Sequence, residues 1–211
     1  MLSASPHYSS SKPIPGAAFS SPAVLFRSAD LVIRRVEDFQ ERQASDLLVR
    51  RMYTWRGYRS NPHTAPVHED HRVTLTAWLD NVLGATLTLS RDGGNGLLCE
   101  ALYPEEIAEL QAKSRSICEY SRLAIDPDYS SPELMESLFR TAYNFARTHF
   151  DASDAVVEIN PRHRRYYERQ LGFTCLGPIR TCPRVEAPAM LLHRDLRHPL
   201  PESAAIGRRA A

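Results

Sequence analysis

Ile117-Cys118-Glu119-Tyr120-Ser121-Arg122-Leu123-Ala124-Ile125, followed by Asp126-Pro127-Asp128, is the stretch on which the fold turns. It reads as a strand, and the Asp-Pro-Asp group ends it, because proline has no N–H to give to a ladder. Pro132 then opens a helix. Leu134, Leu138, Ala142, Phe145 and His149 follow one face of it, with Phe139 and Ala146 beside them, and such a stripe is core. Asp154 to Ile159 is a further strand. Asn160-Pro161 starts a basic helix running to Leu171, and Gly172 stops it. Phe173 to Ile179 and Ala189 to His193 close the set as strands.

Toward the N-terminus, Tyr103 to about Ala112 is a short helix with Pro104 in its first turn. Arg91 to Gly96 is a loop whose glycines are free to take positive φ. Val73 to Trp78 and Val82 to Leu89 are strands, with Asp80-Asn81 suited to a hairpin turn. Arg59 to Pro66 is loop. A helix begins at Glu37, carries Ala44, Leu47, Leu48, Met52 and Trp55 on one face, and ends near Arg56-Gly57. Leu31 to Val36 is a strand. The alternation in the second half predicts an α/β layer fold, and the early hairpin predicts a mixed sheet rather than a wholly parallel one. Residues 1–24, rich in Ser and Pro, read as a disordered tail, 25–198 as the domain, and 199–211 as a flexible C-terminal tail.

The chain has 211 residues, enough for one full core. Its net charge of +1 offers no global attraction to nucleic acid or membrane. No apolar run approaches the ~20 residues that span a bilayer, and the N-terminal segment lacks the apolar stretch of a secretory signal. Cys99, Cys118, Cys175 and Cys182 show no metal-type spacing. Reduced thiols and the cytoplasm are expected. No Ser/Cys–His–Asp motif surrounds any cysteine.

Four short pieces, in this order and spacing, carry a resemblance: Arg56-Gly57-Tyr58; Cys118-Glu119-Tyr120-Ser121-Arg122-Leu123 with Asp126-Pro127; Pro161-Arg162-His163 with Tyr166-Tyr167 and Leu171-Gly172-Phe173; and Ala187-Pro188-Ala189 before Leu191-Leu192. Over Arg56 to Leu196 the sequence resembles the GNAT (acyl-CoA N-acyltransferase) superfamily. Within it, the closer resemblance is to the long-chain N-acyl amino acid synthases, cousins of the acyl-homoserine lactone synthases. That resemblance implies a GNAT-like fold with a mixed, mostly antiparallel sheet flanked by helices. It also implies transfer of a fatty acyl group from an acyl carrier protein thioester to the amino group of a free amino acid. No permanently bound cofactor is implied. The superfamily's glycine-rich turn for coenzyme A should fall near residues 126–133, where this chain has no glycine. The departure favours a carrier-protein donor over coenzyme A. The alternatives are a coenzyme A-dependent N-acyltransferase and a catalytically silent binding module.

Thioester-to-amine transfer requires deprotonation of an ammonium, stabilisation of an oxyanion and departure of a thiolate. By resemblance, Glu119 is the candidate base; the plainer reading is an ion pair with Arg122. In a regular strand positions three apart face opposite sides, so the two meet only if a bulge lies between Cys118 and Leu123. Arg122 orients Glu119 or holds a substrate carboxylate, with Ser121 a lesser candidate between them. Arg56 and Asp70 resemble positions near the amine substrate in the lactone synthases, though a solvated helix end and a surface acid are the plain readings. His68 and His71 flank Glu69-Asp70, but metal ranks below the acidic role. Tyr166 and Tyr167 diverge on a helix; one is core and the other lines the thioester channel as acid for the leaving thiolate. Tyr167 is favoured for the channel. Arg162, His163 and Arg165 belong to a basic patch suited to an acidic carrier protein or its phosphate, or to plain solvation. Nothing suits base stacking.

Overall fold

The computed structural model describes residues 24–28, 30–58, 71–93, 96–113 and 115–201. The strands are β1 (Val24–Arg27), β2 (Leu31–Arg35), β3 (Arg72–Leu79), β4 (Val82–Arg91), β5 (Ile117–Ile125), β6 (Asp154–Ile159), β7 (Thr174–Cys175), β8 (Arg180–Cys182) and β9 (Ala187–Asp195). The helices are α1 (Phe39–Trp55), α2 (Pro104–Ala112), α3 (Pro132–Thr148) and α4 (Arg164–Leu171). Across the sheet the order is β1-β2-β3-β4-β5-β6-β9-β7, with β8 on the edge of β9. Every pairing is antiparallel except β5 with β6. The expected mixed, mostly antiparallel α/β architecture is therefore present.

Local chemistry accounts for most boundaries. Asp80 and Asn81 both take positive φ, 48° and 65°, the conformation a two-residue hairpin needs, and Asn and Asp tolerate it best among side-chain-bearing residues. Asp38 caps α1 by accepting the Glu41 N–H at 2.7 Å. Ser131 caps α3 through the Leu134 N–H, with Pro132 in the first turn. Gly172 ends α4 at φ 69°, and a Cβ there would strike Arg194.

Alternation along β5 divides the molecule into two cores. Cys118 and Tyr120 face a large cluster containing Leu134, Leu138, Phe139 and Phe145 of α3. Ile117 faces the other side, with Tyr103, Ile107 and Leu110 of α2 and its approach. Glu119 shares that second side, and α1 packs beside it on β4 and β5.

Four expectations differ from the structure. The buried face of α1 is Ser45, Leu48, Val49 and Met52, while Leu47 and Trp55 are exposed. Leu48, Val49 and Met52 form a small buried cluster with Ala124, and a buried hydrogen bond of 2.7 Å between Ser45 Oγ and Thr86 Oγ1 helps set a face that an apolar count does not favour. His149 lies exposed at the end of α3, stacked on Phe145. The run Phe173 to Ile179 is strand only at Thr174–Cys175, because the chain turns through Gly177-Pro178 before β8. Strands β1 and β8 had no counterpart in the sequence reading; both are short edge strands. The loop at 59–66 and the cluster His68-Glu69-Asp70 lie outside the described residues.

Candidate active site

β5 pairs with β6 only from Ile117↔Asp154 to Tyr120↔Val157. Just beyond, β5 slips in register against β4: Thr88 faces Ser121, yet Thr86 faces Ala124. The extra residue is a bulge, and Arg122 within it has φ 54°. The expected bulge between Cys118 and Leu123 is thus present. A cleft of about 810 Å³ opens where the strands part, walled by α1 on one side and by the β8–β9 turn on another.

Glu119 lines this cleft and is only 1% exposed. Its Oε2 accepts the Leu98 N–H at 2.7 Å and its Oε1 the Cys99 N–H at 3.0 Å. Burial pushes its pKa up to about 7, against the pull of the Leu98 amide and the Arg184 guanidinium, with Glu158 adding to the rise. A carboxyl poised near neutrality and reachable from a cleft can take a proton from an ammonium.

Arg122 does not pair with Glu119. The bulge turns its guanidinium to Asp46 of α1, so the plainer sequence reading of a Glu119–Arg122 ion pair is not realised. The bond holds α1 against the bulge instead. Ser121 also lines the cleft, its Oγ buried and without a partner among the described residues. The Arg184 guanidinium bonds Glu158 at 2.6 Å and the Leu98 carbonyl at 2.7 Å, so it braces the same short segment whose amides hold Glu119. Neither Arg184 nor Glu158 was picked out by the sequence. Their tie to Glu119 depends on the β8–β9 turn folding back over β6, and no local pattern signals that.

Tyr166 and Tyr167 both line the cleft. The Tyr167 ring is the more deeply buried, edge-on to Phe139 and Phe173. Burial holds both phenols above the ordinary tyrosine range. Such a phenol donates a hydrogen bond to a thiolate more readily than it surrenders its proton, since thiols sit lower, near ~8.5. Arg56 lies exposed at the outer wall, over Trp55. His163 lines the rim; burial and the guanidinia of Arg162 and Arg56 lower its pKa. Arg162 reaches the Tyr58 hydroxyl at 3.1 Å, and Arg165 is exposed on α4. Asp70 lies outside the described residues. Cys99, Cys118 and Cys182 are free and buried, and burial raises their thiol pKa values. They remain protonated and are poor nucleophiles.

The model of the family N-acyl amino acid synthase FeeM matches residues 44–195, which hold most of α1, the cleft and all of β5 to β9. The chain belongs to this family. It is an acyltransferase. The structure of FeeM, an N-acyl amino acid synthase from uncultured soil microbes, superposes with a TM-score of 0.73 at 24% identity, covering 81% of this chain and 94% of that one. The AHL synthase LasI gives a TM-score of 0.54 at 14% identity, over 80% of this chain and 91% of its own. A spermidine N-acetyltransferase from Vibrio cholerae, solved with CoA and spermine, gives 0.54 at 13%, over 80% and 96%. These likenesses show a shared GNAT-like fold. No curated protein matches the chain.

In this member of the FeeM family, the segment entering α3 is built unlike an anion cradle. Asp126 accepts the Asp128 N–H at 3.2 Å and pairs with Arg51. Ser131 occupies the Leu134 amide at 3.1 Å, and Pro132 removes another donor. Glu133 adds negative charge in the first turn. A pyrophosphate placed there would find its amides taken and carboxylates beside it.

Proposed function

We propose that the protein moves a fatty acyl group from the phosphopantetheine thioester of an acyl carrier protein to the amino group of an amino acid. The observation that carries the chemistry is Glu119, a buried carboxyl with its pKa near 7 at the point where β5 and β6 part. Glu119, directly or through a water, takes a proton from the acceptor's ammonium. The freed amine attacks the thioester carbonyl, so an N–C bond forms and the carbon–sulfur bond breaks. The Tyr167 hydroxyl donates a hydrogen bond to the departing sulfur, the attacking nitrogen gives up its second proton to that sulfur, and the carrier protein leaves as its phosphopantetheine thiol. Arg122, through Asp46, positions the bulge beside Glu119.

The entry to α3 supports this choice of donor. Its committed amides and added carboxylates disfavour the diphosphate of coenzyme A, whereas a carrier-borne phosphopantetheine brings a single phosphodiester. His163 lines the cleft's rim, and with the exposed Arg162 and Arg165 it makes a basic patch suited to that group or to the acidic carrier itself. The acceptor follows from charge. Arg50, Arg56, Arg72, Arg91, Arg122 and Arg184 line the cleft against Asp46, Glu119 and Glu158, an excess that repels polyamines and draws a carboxylate. Four free cysteines fit a reducing compartment, and we place the enzyme in the cytoplasm.

The test uses dodecanoyl–acyl carrier protein and a mixture of the twenty amino acids, with products read by mass spectrometry. Wild type forms N-acyl amino acids. Glu119→Gln stays folded and loses roughly 100-fold or more in rate. Unchanged turnover in that variant would sink the role of Glu119. Product from acyl-coenzyme A with no response to the carrier protein would replace the donor.

A further inference from the structure

We propose that Arg72 binds the carboxylate of the acceptor amino acid, holding it across Ser90 from Glu119. This rests on the reading of the acceptor as an amino acid and assigns the residue that selects it.

Arg72 opens β3 and faces Ser90 of β4, which in turn faces Glu119 of β5. Residues opposite one another on a ladder point to the same side of the sheet. The three therefore form a row across the strands, and all three line the cleft. Adjacent strands lie about 4.8 Å apart, so the Arg72 and Glu119 backbones are about 10 Å apart. Two long side chains reaching inward leave a gap matched to an α-amino acid. Its ammonium meets Glu119 and its carboxylate meets the guanidinium fork.

The other inner cations are engaged. Arg122 holds Asp46, Arg184 holds Glu158 and the Leu98 carbonyl, and Arg91 lies 3.4 Å from the His71 ring. Arg50 and Arg56 are exposed on α1. Among the described residues, no carboxylate or carbonyl takes up the fork of Arg72. Burial and the neighbouring Arg122 pull its pKa down, while Asp46 and Glu119 oppose that from a distance. A half-buried cation with incomplete compensation accepts an incoming carboxylate with gain. An amine without a carboxylate leaves it unpaired, so the same row discriminates against simple amines.

The experiment uses the full chain with dodecanoyl–acyl carrier protein. The acceptors are the amino acid acylated fastest from the mixture of twenty and the amine made by its decarboxylation. In Arg72→Met, kcat/KM for the amino acid falls roughly 10- to 100-fold, chiefly through KM, while the amine is unaffected. The ratio of the two is independent of the fraction of enzyme folded. Arg72→Lys recovers part of the loss. Affinity for the N-dodecanoyl amino acid product, measured by calorimetry, falls by a similar factor and serves where the amine is too slow to follow. An unchanged ratio and an unchanged product affinity in Arg72→Met overturn the assignment while leaving N-acylation intact. A wild type that makes no N-acyl amino acid overturns the acceptor reading itself, and the role of Arg72 with it.

Discussion

Glu119 shows how one residue joins stability to chemistry. Its carboxyl titrates near 7 in the folded protein against an ordinary value of 4.5. Below about pH 4.5 both folded and unfolded chains hold the proton, and Glu119 costs nothing. Between 4.5 and 7 the unfolded chain releases it while the folded chain keeps it, so stability falls as pH rises. The loss is on the order of 3 kcal/mol by pH 8. Glu119→Gln, neutral throughout, escapes this fall. Its urea midpoint gains on that of wild type between pH 5 and pH 8, and a parallel pair of curves would contradict the raised pKa. Activity should run the other way: if Glu119 is the base, kcat/KM for wild type climbs through an apparent pKa near 7 as pH rises, and the variant lacks that step. Glu119 was picked out by resemblance, and the structure adds its burial beside the cleft. Its two amide partners were not picked out, since Leu98 and Cys99 reach it only through the fold.

Among the elements, α3 was the most readable. Its stripe is long and unbroken, and it sits on an apolar sheet face, so periodicity and packing agree. Leu138, wholly buried in that stripe, should cost about 2–5 kcal/mol on replacement by alanine, measured by chemical denaturation. Ser131→Ala, which removes the α3 cap, should cost about 1 kcal/mol. By contrast α1 misled, because its apolar contact is small, Leu48, Val49 and Met52 on Ala124, and a hydrogen bond between Ser45 and Thr86 helps set its inward face. The β5 bulge was inferred from the need to bring two residues to one side. The structure supplies the bulge, but Asp46 rather than Glu119 receives Arg122.

At the scale of the whole molecule, a net charge of +1 leaves room for a local basic patch. Arg162 and Arg165 are exposed beside His163, which lines the cleft. Charge reversal at Arg165 should lower kcat/KM for acyl carrier protein thioester about 10-fold at low salt. A small phosphopantetheine thioester should be used as before, and added salt should shrink the difference. Equal losses with both donors would place Arg165 outside any docking surface. The sequence by itself determined the main helices, the central strands, the hairpin, the Gly172 stop and the α3 core, because each is written in neighbouring residues or in a period; Glu119 came from the resemblance. Only the tertiary structure decided which charges share the cleft. Arg72, Arg122, Arg184 and Glu158 are placed by sheet register, by the bulge and by the β8–β9 turn. Those are pairings between distant stretches, and a local pattern carries no record of which strand its neighbour will be.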